Sequence, residues 1–214
     1  MDGTLVDTEP YWMAAQEEMV AAWGGAWTHE DGLTLVGSGL WHAARVFQGR
    51  GVHLTEDEIV DHLTDRVLEL IEERGLPWRP GAQALLRQVR DAGIPTALVT
   101  MSVRRMALTI ASRLDFDGFD VVVSGDDVEH AKPHPQPYLI AAEQLGVDIT
   151  KCVAIEDSAP GAASASAAGA VVAAVPFVIP LPESDRYALW DTLEHRTLDD
   201  LHELRRTAAQ RVLP

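Results

Sequence analysis

The stretch "CVAIEDSAPGAASASAAGAVVAAV", residues 152–175, decides the fold. It opens with a short apolar run, passes two carboxylates and a hydroxyl, crosses a run of small residues that begins with Pro160 and Gly161 and stops at Gly169, and ends in a second apolar run. Apolar runs this short suit strands buried on both faces, and the ten-residue stretch between them suits a helix. Strand, helix and strand in this order predict a parallel pair with a covering helix.

Working outward, the same alternation repeats. Helix "PGAQALLRQVRDAG" (80–93) leads to strand "IPTALVT" (94–100), helix "SVRRMALTIASRL" (102–114) to strand "DVVVSG" (120–125), and helix "PQPYLIAAEQLG" (135–146) to the quoted stretch. The expectation is an α/β fold with a doubly wound parallel sheet. Residues 10–78 break the alternation, because "EPYWMAAQEEMVAAW", "SGLWHAARVFQGRG" and "TEDEIVDHLTDRVLELIEERG" all carry helical spacing. The last starts on Thr55 with Glu58 three residues on, a capping box, and stops at Gly75. The predicted division is therefore a core of residues 1–9 and 79–214 with an inserted helical unit at 10–78. Leu198, Leu201 and Leu204 predict a final helix packed outside the sheet.

With 47% hydrophobic and 23% charged residues over 214, the chain has the composition of a globular protein. Its 17 Lys and Arg against 33 Asp and Glu give a net charge of -16, which argues against nucleic acid or anionic lipid as a partner. Cys152, the single cysteine, sits in an apolar run and reads as a buried inert thiol in a reducing compartment. The most apolar stretch, "AGAVVAAVPFVIPLP" (168–182), is too short and proline-rich to span a bilayer, so the expected location is cytoplasmic.

Ligands of an open parallel sheet bind beyond the carboxyl ends of its strands. The residues there are Thr100 and Ser102, then Lys132, then Glu156, Asp157 and Ser158, to which the N-terminal loop adds Asp2 and Thr4. Carboxylates suit a hard cation such as Mg²⁺, and a lysine, hydroxyls and loop amides suit the charged oxygens of a phosphoryl group. Glu156 and Asp157 alone would also serve as a helix N-cap.

In order and spacing, "DGTLVDTEP" (2–10), "LVTMS" (98–102), "AKPHPQPY" (131–138) and "EDSAPGA" (156–162) resemble the haloacid dehalogenase-like hydrolase superfamily. The match is to its small-molecule phosphatases and phosphoglucomutases with a helical cap. The resemblance implies a Rossmann-like core, an aspartyl-phosphate mechanism and Mg²⁺. It makes Asp2 the general acid and base, Thr100 and Lys132 the other catalytic groups, and Gly3, Thr4, Met101 and Ser102 further phosphate contacts. Asp2, Glu156 and Asp157 would place the metal, and Gly37, Ser38 and Arg45 in the cap would select the substrate. Met101, Ala131 and Gln136 depart from the family's usual asparagine, glycine and aspartate.

The resemblance also implies a nucleophilic aspartate directly before Met1, at the end of a central first strand flanked by "TALV" and "CVAI". Asp2 does not replace it, since a shift of one residue on extended backbone turns the side chain the other way. Such a strand, of about five or six residues, buries side chains worth roughly 1.5–3 kcal/mol each, comparable in sum to a whole domain's stability of about 5–15 kcal/mol. The expectation is a chain begun at an internal methionine, with an upstream apolar run ending in Asp.

The function expected is a Mg²⁺-dependent phosphomonoester hydrolase acting on a small phosphorylated metabolite, as a monomer or small homo-oligomer. A β-phosphoglucomutase-like mutase is one alternative, although Trp12 stands where those mutases carry a histidine. A non-catalytic binding protein with the same fold is the other. Asp7 is expected to brace the hinge to the cap, and most of Trp12, Trp23, Trp27, Trp41 and Trp78 to form the cap's core.

Overall fold

The computed structural model describes residues 1–211. Four helices follow the N-terminal loop: α1 (Glu9–Ala22), α2 (His29–Leu33), α3 (Leu40–Gly49) and α4 (Glu56–Arg74). In α4 the buried residues Ile59, Leu63, Val67, Leu70 and Ile71 fall at three- and four-residue spacings, and this apolar stripe packs against α1 and α3. Thr55 and Glu58 form the expected capping box, and Gly75 ends the helix at φ 89°. Phe47, Met19 and Val20 complete this core, with Trp27 tilted against Phe47 at 4.8 Å between ring centroids. Trp12 and Trp27 are buried as expected, whereas Trp23 is exposed.

The rest alternates strand and helix: α5 (Ala82–Asp91), β1 (Ala97–Val99), α6 (Arg104–Ala111), β2 (Val121–Val123), α7 (Gln136–Leu145), β3 (Val153–Glu156), α8 (Ala159–Ala168), β4 (Val171–Ala174), β5 (Ala188–Leu189) and α9 (Leu198–Arg211). This is a mixed α/β fold whose strands pair in parallel. In α8 the buried face is Gly161, Ala162, Ser164, Ala165 and Ala168, so little side-chain bulk separates the helix from β3 and β4. Cys152 lies just before β3 and is half-buried rather than buried.

The strands form two sheets where the alternation predicts one. β1 pairs with β2 in register Leu98 to Val122, and β3 pairs with β4 in register Ile155 to Ala173, with β5 beyond. Among the described residues no strand joins β1 to β3. Both line an apolar cavity of about 570 Å³, walled by Leu98, Val99, Ala154, Ile155, Leu85 and Leu201. Met1 and Leu5 reach it from the N-terminal loop.

The two crossings between the helical unit and the rest run side by side. Asp7 donates its backbone N–H to Pro77 O at 2.8 Å, and Arg79 donates its own to Leu5 O at 3.0 Å. Among the described residues no helix is long and apolar enough to cross a membrane.

Candidate active site

The N-terminal loop is a tight turn whose centre is one carbonyl. Met1 O accepts the N–H groups of Thr4, Leu5 and Val6 at 3.2, 2.7 and 3.2 Å. Gly3 sits at φ 73°, and a Cβ there would lie 2.2 Å from Asp157 Oδ2, so both conformation and space demand glycine. The turn thereby brings the loop against the carboxyl end of β3. Gly3 itself does not line the pocket, and Thr4 faces Asp157, donating its hydroxyl at 2.6 Å.

Asp2 is held by three donors, two from the start of α1 and one from the loop after β1. Thr8 precedes α1, and its hydroxyl reaches Asp2 Oδ1; the Trp12 indole in α1 reaches the same oxygen at 3.2 Å; Ser102, after β1, reaches Oδ2 at 2.8 Å. Thr100 is buried at the end of β1 and accepts the Ser102 N–H at 3.1 Å.

Lys132 and Glu156 are a buried ion pair. Lys132 Nζ donates to Glu156 Oε1 at 2.5 Å and to Val99 O at 3.1 Å, and the Tyr138 hydroxyl donates to the same Glu156 oxygen. Gly161 makes room, since a Cβ there would meet Glu156 Oε2 at 1.9 Å. Burial pushes the Glu156 carboxyl up, but the Lys132 charge and the hydrogen bonds outweigh it and hold the group below the ordinary range. Asp157, buried beside that charge, is raised to about 6, first by burial and then by Glu156, against the smaller opposing pull of the Met1 amino group, the Thr4 hydroxyl and Lys132. Ser158, not either carboxylate, caps α8 by accepting the Gly161 N–H at 3.2 Å.

These groups face a pocket of about 100 Å³, room for only a few waters. Asp2, Thr100, Met101, Ser102, Lys132, Glu156 and Asp157 line it from one side, and Glu9, Trp12, Gln16, Gly37 and Ser38 line it from the helical unit. Arg45 is elsewhere. It pairs with Glu56 at 2.8 Å, 57% exposed, on a neighbouring cavity. Burial, then the charges of Asp2, Asp157 and Asp7, raise the Glu9 carboxyl to about 8.

A family model described as haloacid dehalogenase-like hydrolase matches residues 1–169. The chain belongs to that family. Hexitol phosphatase B of Escherichia coli is 31% identical over 202 residues, covering 89% of this chain and 87% of that protein. A phosphorylated carbohydrates phosphatase of Thermotoga maritima is 33% identical over 176 residues, 79% of each chain. The crystal structure of CbbY from Rhodobacter sphaeroides in complex with phosphate superposes with a TM-score of 0.84 at 27% identity, covering 94% of this chain and 96% of that one.

The chain's departures from this haloacid dehalogenase-like family's usual residues are accommodated locally. The Met101 thioether accepts the Lys132 N–H at 3.3 Å, and Gln136 Oε1 accepts the His130 N–H at 2.7 Å, tying down the loop that carries Lys132. Sequence reasoning missed Thr8 and Tyr138 as partners of the site carboxylates, and Glu9 and Gln16 as lining. The available signal was their spacing: Glu9, Trp12 and Gln16 share one face of α1.

Among the described residues no three His, Cys, Asp or Glu side chains are arranged to hold a metal by themselves. The donor chemistry nevertheless fits a hard divalent cation. Asp2, Glu156 and Asp157 gather three carboxylates near the Lys132 ammonium and the Met1 amino group, and Asp157 is still pushed toward protonation. Glu156 is engaged with Lys132 and Tyr138, which leaves Asp157 as the freer ligand.

Proposed function

We propose that this fold, once its attacking aspartate is supplied, hydrolyses phosphate monoesters of small sugars or polyols through an aspartyl-phosphate. The observation that carries this is the convergence of Asp2, Thr100, Ser102, Lys132 and Asp157 on one pocket from four separate segments. The activities named for the Escherichia coli and Thermotoga maritima relatives support the substrate class.

In this reading Lys132 and the Thr100 and Ser102 hydroxyls bind the phosphoryl oxygens, and Lys132 stabilises charge in the transition state. Asp2 gives a proton to the leaving alkoxide and later takes one from the attacking water. Its three donors fix where that proton is exchanged. Asp157, with the loop at Asp2, would hold Mg²⁺, which would neutralise phosphate charge. Residues 10–78 act as a cap that supplies one wall of the pocket and moves about the paired crossings at Asp7 and Pro77.

In this reading the attacking carboxylate stands at the end of a strand that would seat between β1 and β3, in the apolar cavity. Three features support this placement: the cavity is apolar, β1 and β3, which border it, each have a strand partner on one side only among the described residues, and Met1 lines both that cavity and the pocket. Trp12 on Asp2, in the place of a mutase histidine, favours hydrolysis over a mutase. The test is phosphate release from a panel of sugar and polyol phosphates by a chain carrying such a strand, expected with Mg²⁺ and lost in Asp2→Asn. No release from any member would overturn the reading.

A further inference from the structure

The helical side of the pocket presents a chemistry that the reaction itself does not use. Glu9 and Gln16 lie seven residues apart on one face of α1, roughly 10 Å along its axis. The Glu9 carboxyl is half-buried and makes no hydrogen bond or ion pair with any described residue. It lines the pocket, where a ligand can supply the partners that the protein does not. Gln16 is 8% exposed, and its Oε1 accepts the Trp27 indole N–H at 3.2 Å. An indole only donates, so the amide is fixed with its oxygen toward Trp27, and its NH₂ is left without a protein partner in a residue that lines the pocket. Ser38 adds a hydroxyl.

Charge sharpens the argument. Among the described residues, no Lys, Arg or His lines the pocket from the helical side, and Lys132 on the opposite side is already paired with Glu156. A second phosphate or a carboxylate on the substrate would find no cation there and would approach Glu9. In either protonation state Glu9 hydrogen-bonds a hydroxyl, and in neither does it attract an anion.

Resting on the phosphatase reading above, we infer that Glu9 and Gln16 are specificity-determining residues that bind hydroxyls of a substrate with one phosphate and an uncharged, polyhydroxylated body. Esters carrying a second anionic group are rejected.

Calorimetric binding with Mg²⁺ present separates this inference from the reading beneath it. The probes are inorganic phosphate, sorbitol 6-phosphate, 2-phosphoglycolate and fructose 1,6-bisphosphate. Sorbitol 6-phosphate is expected to bind at least about tenfold more tightly than the two doubly anionic esters, a difference of about 1.4 kcal/mol. Glu9→Ala and Gln16→Leu each lose about tenfold for sorbitol 6-phosphate, with inorganic phosphate bound as before, which also shows that the variants fold. Glu9→Gln, which still hydrogen-bonds, retains most of the affinity. Equal affinity for the charged esters, or sorbitol 6-phosphate binding untouched by both substitutions, overturns the inference while leaving the phosphatase reading intact. Failure of wild type to bind inorganic phosphate overturns both.

Discussion

Lys132 Nζ lies 2.5 Å from Glu156 Oε1, and the two side chains are only 7% and 6% exposed. A buried pair at this depth loses little by losing both charges and much by losing one. Lys132→Met is therefore expected to destabilise the fold by about 3–5 kcal/mol, and Lys132→Met with Glu156→Gln to recover most of it. Chemical denaturation of wild type and both variants reads this. Phosphate binding is lost in both, because the double variant restores packing and not the cation.

Asp2 is expected to matter for chemistry more than for folding. Asp2→Asn keeps an acceptor for Thr8 and Trp12 and turns an amide NH₂ toward the Ser102 hydroxyl, which can accept from it, but cannot exchange a proton. In the chain extended with a strand ending in Asp, turnover should fall by about 10²–10⁴ at nearly unchanged melting temperature. Trp12→Phe removes one of the three donors, and should cost about 0.5–1.5 kcal/mol of stability together with a smaller loss of turnover. Steady-state kinetics beside thermal denaturation checks both.

Glu9 makes a pH prediction with a definite sign. Its folded-state pKa of about 8 stands above the unfolded value of 4.5, so the folded chain holds the proton more tightly. Its contribution is then fully present below pH 4.5 and is lost as the pH rises through 8. In chelator, Glu9→Gln should match wild type near pH ~4.5 and exceed it by about 1–3 kcal/mol near pH 8. Denaturation across that range tests it, and parallel curves for the two proteins would contradict it. Wild type keeps the less stable residue because the substrate needs it.

Mg²⁺ binding should follow the ionisation of Asp157, raised to about 6. A protonated carboxyl is a poor ligand, so Mg²⁺ is expected to raise the melting temperature at about pH 7.5 and to do so weakly at about pH 5. Asp157→Asn should remove the effect at both. Calorimetric titration of the metal gives the same comparison without turnover.

Much of this site was legible in the sequence because a parallel strand announces its own end. Thr100, Glu156 and Asp157 each follow an apolar run closely, and Lys132 lies in the loop after the next one, so the motifs could be placed on the fold from the sequence. The helical boundaries of α4 were written in Thr55, Glu58 and Gly75. What escaped was short or contextual. The five residues of α2 and the two of β5 are too few to show a period. Tyr138 and Glu9 look like ordinary helix residues until the chain folds their side chains onto other charges. The division of labour between Glu156 and Asp157 was equally hidden, since neighbouring carboxylates differ only in which one Lys132 reaches.

The split sheet is where sequence and structure meet most closely, because β1 and β3 border one apolar cavity beside Met1. The most direct test is Mg²⁺-dependent hydrolysis of p-nitrophenyl phosphate by this chain and by one extended with an apolar strand ending in Asp directly before Met1. The account predicts turnover in the extended chain, with that Asp trapped as an acyl-phosphate, and none or a trace in the chain of 214 residues. Equal turnover in both, or turnover in the extended chain that survives changing that Asp to Asn, would contradict it.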